Sequence, residues 1–278
     1  MDTTTTDDTL RRDDTALATA LVTDAARLAA RMRDDGLRTE HKSSVADVVT
    51  AADRAAEAAV LATLRRERPD DDVVGEEGAD VATGAARRWF VDPVDGTFNF
   101  VSGLTAWCSA VALEQDGAVL ASAVHRPETG ETWAAGPDGT TRDGTVVAPL
   151  DDAPLAASGV ATFLGTGDLR DPATTAVFAR VVAAAATVRL SGSGSCDLAD
   201  VAAGRLGLWL QVDCADWDWL PGRALVEGVG GAWRVVEHGD RRWYLAGRPT
   251  AVDEAAELIT SKPAAGQSEP GTVTTRFW

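Results

Sequence analysis

Two carboxylates three residues apart, Asp92 and Asp95, sit in the stretch WFVDPVDGTFNF, residues 89–100. Pro93 between them fixes its own φ and pushes Asp92 toward an extended conformation. Gly96 lets the backbone approach a neighbour closely, and Thr97 adds a hydroxyl. Two acids on a stiff turn, followed by backbone amides, could hold a divalent cation beside a phosphate. An ordinary polar turn that caps a helix has the same composition, so the motif alone leaves both readings open.

Further acids lie on both sides. GEEGAD (75–80) carries Glu76 and Glu77 shortly upstream, and DWDWLPGRALVEGVGG (216–231) carries Asp218 between two tryptophans far downstream. Glu76, Asp92, Asp95 and Asp218 together suit magnesium, which prefers oxygen ligands in octahedral geometry. KSSVADVVTAAD (42–53) lies near the start and brings Lys42 and Asp53; the chain has one other lysine, Lys262. SGSGS (191–195) precedes an expected helix, and a Gly/Ser loop opening a helix offers N–H groups to an anion, although flexible turns look the same.

These four acidic and flanking segments, in this order and at these distances, resemble the inositol monophosphatase family, within the lithium-sensitive, magnesium-dependent sugar phosphatases. The resemblance runs from the first expected helix to about Ile259, and D-P-x-D-G-T-x-N-F is its most specific string. It implies a five-layer α-β-α-β-α sandwich with the site between two halves. It also implies two or three Mg²⁺ ions: Glu76, Asp92 and the Val94 carbonyl on the first, Asp92, Asp95 and Asp218 on the second, and a weaker third near Glu76. Glu76 and Thr97 would activate the attacking water, the Gly96 and Thr97 amides would receive the phosphate, and Asp218 would position the water that protonates the leaving oxygen. Gly194, Ser195 and Cys196 would form the substrate-side loop. Lys42 would be the mobile-loop lysine, Asp53 a support for the metal-site glutamates, and Glu77 peripheral. The implied reaction is hydrolysis of a small polyol or sugar phosphate, inositol monophosphate above all. Histidinol phosphate, fructose 1,6-bisphosphate and 3′-phosphoadenosine 5′-phosphate are alternatives, and a catalytically silent metal-binding scaffold is the alternative of another class. The family resemblance also implies a homodimer.

Two positions depart from the family pattern. Gln211 stands where members active on inositol phosphates often carry an acid, which removes charge-assisted strength toward sugar hydroxyls. Trp219 stands where a small residue is usual. It reads first as a packed aromatic and second as a side chain narrowing the pocket mouth.

Elements must position these residues. Apolar residues recur at helical spacing from Ala16 to Met32, and a second amphipathic helix is expected over 51–66. Strands are expected at 73–74, 89–91, 105–113 and 118–124, with further strand signals at 131–135 and 145–147, giving an α+β first half with an antiparallel sheet. Beyond a composition shift at 148–153, the pattern alternates in α/β fashion. Strands are expected at 155–160, 187–190 and 208–212, a hairpin at 233–236 and 243–246, and helices at 172–186, 196–203, 223–228 and 253–259, with DWDWLPG as a turn. The division is thus a disordered tail over 1–14, halves over 15–148 and 149–260, and a flexible tail over 261–278.

Composition bounds the rest. The 278 residues carry 43 acidic against 26 basic side chains, a net charge of −17. That argues against a nucleic-acid or anionic-membrane surface, both of which need a basic patch. Cys108, Cys196 and Cys214 are odd in number and widely spaced, and His41, His125 and His238 share no ligand spacing. A reducing cytoplasm fits, no secretory h-region is visible at the start, and no run is long enough to span a bilayer.

Overall fold

The computed structural model describes residues 4–36, 39–41, 48–78 and 80–261, with side chains from Asp14 onward except over 37–50. Helix α1 (Thr4–Asp34) is followed by the short strands β1 (Thr39–His41) and β2 (Val48–Thr50), helix α2 (Ala51–Glu67) and strand β3 (Asp72–Gly75). Then come β4 (Asp80–Val81), β5 (Arg87–Asp95), α3 (Thr97–Ser102), β6 (Cys108–Gln115), β7 (Ala118–Arg126), β8 (Glu131–Gly136), β9 (Gly139–Arg142) and β10 (Thr145–Val146). The second half holds β11 (Gly159–Phe163), α4 (Pro172–Ala184), β12 (Thr187–Arg189), α5 (Gly194–Ala202), β13 (Leu208–Val212), α6 (Asp216–Gly228), β14 (Ala232–His238), β15 (Arg241–Gly247) and α7 (Pro249–Thr260).

Two large sheets organise the chain. The first has eight strands in the order β10-β9-β8-β7-β6-β5-β3-β4, the second five in the order β12-β11-β13-β15-β14. Strand alternation gives each sheet two apolar faces, and each face meets a helix layer. Leu17, Leu21 and Val22 of α1 and Val60 and Leu64 of α2 pack on Trp89, Val91, Val111 and Leu113. The opposite faces of both sheets close on α5 and α6, where Phe90, Ala110 and Ala112 meet Leu198, Leu225, Trp209 and Tyr244. Helices α4 and α7 cover the outer face of the smaller sheet through Val177, Val181, Val252 and Ile259, against Leu208 and Leu210. The result is the expected α-β-α-β-α sandwich.

Several elements differ from the sequence reading. The segment expected to be a disordered tail to residue 14 belongs to α1 from Thr4 onward, because extending a helix already nucleated by its packed part needs no new nucleus. The first sheet is mixed: β3 runs parallel to β5, in register Val74↔Phe90 and Gly75↔Val91. The strand expected at 155–160 is a 3₁₀ turn, Leu155–Ala157, and the strand starts later; Glu254 holds the turn by accepting from the Leu155 amide at 2.7 Å. DWDWLPG is no turn but the opening of α6, with Pro221 inside the helix. Pro221 removes one helix hydrogen bond and crowds the preceding turn, and burial of Trp219, Leu220 and Leu225 outweighs that cost. The 261–278 tail falls beyond the described residues from 262 on.

Candidate metal and phosphate site

Asp92 and Asp95 are three apart and would face opposite sides of a regular strand. The register breaks between them: Asp92 pairs with Ala110 and Asp95 with Cys108, so three steps on β5 match two on β6. Such a bulge re-aims a side chain. Ala110 and Cys108 both belong to the middle core, so both acids point toward the second half. Ser109 Oγ donates to the Pro93 carbonyl at 2.5 Å, and the Val94 amide donates to Asp92 Oδ1 at 3.0 Å, which pins the bulge.

Asp218 arrives from the first turn of α6. Carboxylate oxygens of Asp92, Asp95 and Asp218 lie within 4.8 Å of one another, two of the acids buried and Asp218 half-buried. Burial first, and then Glu76, Asp95 and Asp218, push Asp92 well above the usual carboxylate range, and Glu76 also hydrogen-bonds it. Burial raises Asp95 as well, opposed by hydrogen bonds from Ser195, Ser193 and Gly194. Crowded acids held against their charge call for a cation, and an all-oxygen donor set fits magnesium. Glu76 stands beside Asp92 but outside the 4.8 Å trio.

Thr97 Oγ1 is 3.1 Å from Asp53 Oδ1 and 3.0 Å from the Val94 carbonyl. Asp53 accepts from Thr97, a contact the sequence reading did not give it. Glu57, which the sequence reading missed, lies beside the glutamates: its Oε2 accepts from the Glu77 amide at 2.8 Å. Its signal was present, an acid one turn after Asp53 on the same helix face. Lys42 lies outside the described residues.

Gly96 has φ +90, and a Cβ there would stand 2.9 Å from the Ala106 carbonyl and 3.1 Å from that of Gly192. Only glycine fits this approach of the two halves. Asn99 clasps them beside it, donating through Nδ2 to the carbonyls of Ala106 and Ser191, each at 2.7 Å. Ser193 caps α5 by accepting from the Cys196 amide, and Asp95 Oδ2 accepts from the Ser195 amide at 2.6 Å. Gly194 and Ser195 thus border the acid cluster, and Cys196 is buried behind them. Gln211 is buried beside this helix start: a Cβ on Gly194 would be 3.7 Å from Gln211 Oε1. Asp197 is buried in the first turn of α5, accepting from Ser191 Oγ at 2.6 Å. Burial pushes it up to about 7, with Ser191 opposing and Asp95 and Asp200 adding to the rise. Trp219 is a packed aromatic, stacked on Trp209 at 5.6 Å between centroids and edge-on to Trp233 and Tyr244.

A separate cavity of about 460 Å³ opens between α1 and the β8–β9 turn, lined by Thr15, Thr19, Thr132, Thr141 and Asp138 among others. None of the clustered acids lines it.

The inositol monophosphatase family model matches residues 11–266. The chain belongs to the inositol monophosphatase family. It is a phosphoric monoester hydrolase by that membership. An inositol-1-monophosphatase of Rhizobium meliloti is 36% identical over 218 residues, covering 73% of this chain and 77% of that protein. A histidinol-phosphatase of Mycobacterium tuberculosis is 42% identical over 127 residues, 45% of this chain and 48% of that protein. The solved structure of a Thermotoga maritima inositol monophosphatase superposes with a TM-score of 0.77 at 25% identity, covering 89% of this chain and 96% of that one. Among the described residues no helix is long and apolar enough to cross a membrane.

Proposed function

We propose that this family member is a magnesium-dependent phosphomonoesterase acting on a small polyol or sugar phosphate of inositol monophosphate size, with residues 15–148 and 149–260 as the halves that meet at its site. The observation that carries this reading is the meeting of Asp92 and Asp95 with Asp218, within 4.8 Å, from opposite halves of the chain. Glu76, Asp92 and the Val94 carbonyl would hold one ion, and Asp92, Asp95 and Asp218 a second, with a weaker third near Glu76. When bound, magnesium supplies charge neutralisation on the phosphoryl oxygens, a more acidic water and relief for the leaving alkoxide.

The chain's own groups do the rest. With its proton directed to Asp53, Thr97 keeps a lone pair for a water, and Glu76 orients that water from the other side. The Gly96 and Thr97 amides receive the phosphate at a turn with no side-chain cap. Asp218 positions the water that protonates the leaving oxygen, and Gly194, Ser195, Cys196 and Gln211 border the leaving group.

Phe98, Leu104, Leu169 and Leu190 are large apolar side chains left exposed, and exposed apolar surface of this kind supports a homodimer. Three buried free thiols support a reducing cytoplasm.

A phosphate-release screen over inositol, histidinol, fructose and adenosine phosphates, with and without Mg²⁺, tests the reading. Release from at least one ester, lost on chelation, is expected; no release from any would favour the silent scaffold. Glu76→Gln should lower kcat at least ~10²-fold with the fold intact. An unchanged kcat under saturating magnesium would remove Glu76 from the mechanism.

A further inference from the structure

The part of α5 that meets Asp95 is its first turn. The Ser195 amide donates to Asp95 Oδ2 at 2.6 Å, and Ser193 and Gly194 also hydrogen-bond that carboxylate. These donors fix the plane of the group, so the place where α5 starts decides how Asp95 faces Asp92 and Asp218. The body of the helix is anchored by Leu198, Val201 and Ala202 in the middle core. Ser193, Gly194 and Ser195 are small and bring no apolar anchor of their own. Polar contacts must therefore hold the turn.

Asp197 and Ser191 supply them. Asp197 is 3% exposed and accepts from Ser191 Oγ at 2.6 Å. Its other oxygen, Oδ2, is buried and meets no donor among the described residues. A buried carboxyl with so few partners costs stability, so packing alone does not account for an acid here. Ser191 is tied in turn to the first half, since its carbonyl accepts from Asn99 Nδ2 at 2.7 Å. Gly192 follows with φ +92, and a Cβ there would stand 2.8 Å from Asn99 Nδ2. The path thus runs from Asn99 through Ser191 and Asp197 to the turn that carries the Ser195 amide, and closes on Asp95. Both of its ends lie within residues 95–99.

From this closed path we infer that Ser191 and Asp197 are positioning residues for Asp95: they hold the first turn of α5 where it aims this carboxylate at a cation, and so raise the affinity of the chain for Mg²⁺. The inference rests on the metal site of the phosphatase reading above, and it concerns ion binding, which is measured without turnover.

Calorimetric titration of Mg²⁺ into the chelator-stripped full chain, without ester, tests this. Ser191→Ala and Asp197→Ala should each weaken Mg²⁺ binding about tenfold, the usual scale for a group that orients a metal ligand. Asp197→Asn keeps the accepting oxygen and should stay within about threefold of wild type. In phosphate release, the Mg²⁺ concentration for half-maximal rate should rise with the calorimetric constant in both alanine variants, and saturating Mg²⁺ should restore kcat to within about threefold. Asp171→Ala removes the N-cap of α4 in the outer layer and should lower stability with Mg²⁺ binding unchanged. Ser191 is only half-buried, so Ser191→Ala keeps the test open if Asp197→Ala does not fold. Unchanged Mg²⁺ affinity in the alanine variants would overturn the inference, as would an Asp197→Asn as weak as Asp197→Ala, or an Asp171→Ala that weakens binding equally. If Mg²⁺ binds but no ester is hydrolysed, the phosphatase reading fails separately, and the titration still decides whether Ser191 and Asp197 act on Asp95. A wild-type chain that takes up no Mg²⁺ would overturn both.

Discussion

The two halves contribute acids to one cluster in different ways. Asp92 and Asp95 stand on a bulged strand inside an eight-stranded sheet, buried and pinned by backbone amides. Asp218 stands on the first turn of a helix and keeps partial contact with solvent. The first arrangement fixes position at the expense of stored repulsion, since Asp92 is held far from its preferred ionised state by burial and three acid neighbours. The second arrangement stores less. The strand-borne acids form a rigid floor of the cluster, and the helix-borne acid its side wall.

Matched amide variants separate these roles. Asp92→Asn should abolish activity, by ~10³-fold or more, because in the proposed arrangement this carboxylate serves two ions. In chelator the same variant should be more stable than wild type in urea melts, since a buried like-charge clash is removed. Asp218→Asn should lower kcat by about 10²-fold and leave the chelated stability nearly unchanged. If both variants gained equal stability in chelator, the contrast between floor and wall would fail.

A smaller effect sharpens the comparison from the side of α5. Asp197 has a folded pKa of about 7, raised from 3.8, so in that window the native state binds a proton that the unfolded chain has released. Its contribution is fully present below the unfolded value and is lost as pH rises toward 7, on the order of a few kcal/mol. Asp197→Asn should flatten the fall in stability between pH 4 and 7 in chelated protein. A wild-type slope that survived the substitution would assign it to other groups.

Much of this was legible in the chain. The D-P-x-D-G-T string and the flanking acids led, through the family resemblance, to the layers and to four of the clustered or adjacent acids, and the apolar periodicities led to most helices and strands. What could not be read depended on pairing. The bulge that turns Asp92 and Asp95 to one side is a register fact, visible only once β6 lies alongside. Asp53 on Thr97, and Glu57 on Glu77, join α2 to segments some 20 to 44 residues away. DWDWLPG read as a turn because local propensity favours one, and tertiary burial of Trp219 and Leu225 overrode it. Asp197 fell inside the expected helix 196–203, and its bond to Ser191 had no sequence signal.

Helix α6 is encoded with the second half but is fastened at its far end to the first. Thr140 Oγ1, on β9, donates to the Leu225 carbonyl at 2.8 Å, and Gly228 sits so close to Thr140 that no side chain would fit. If the cleft breathes to admit and release molecules, Asp218 travels with the strand-borne acids. Turnover then need not dismantle the acid cluster.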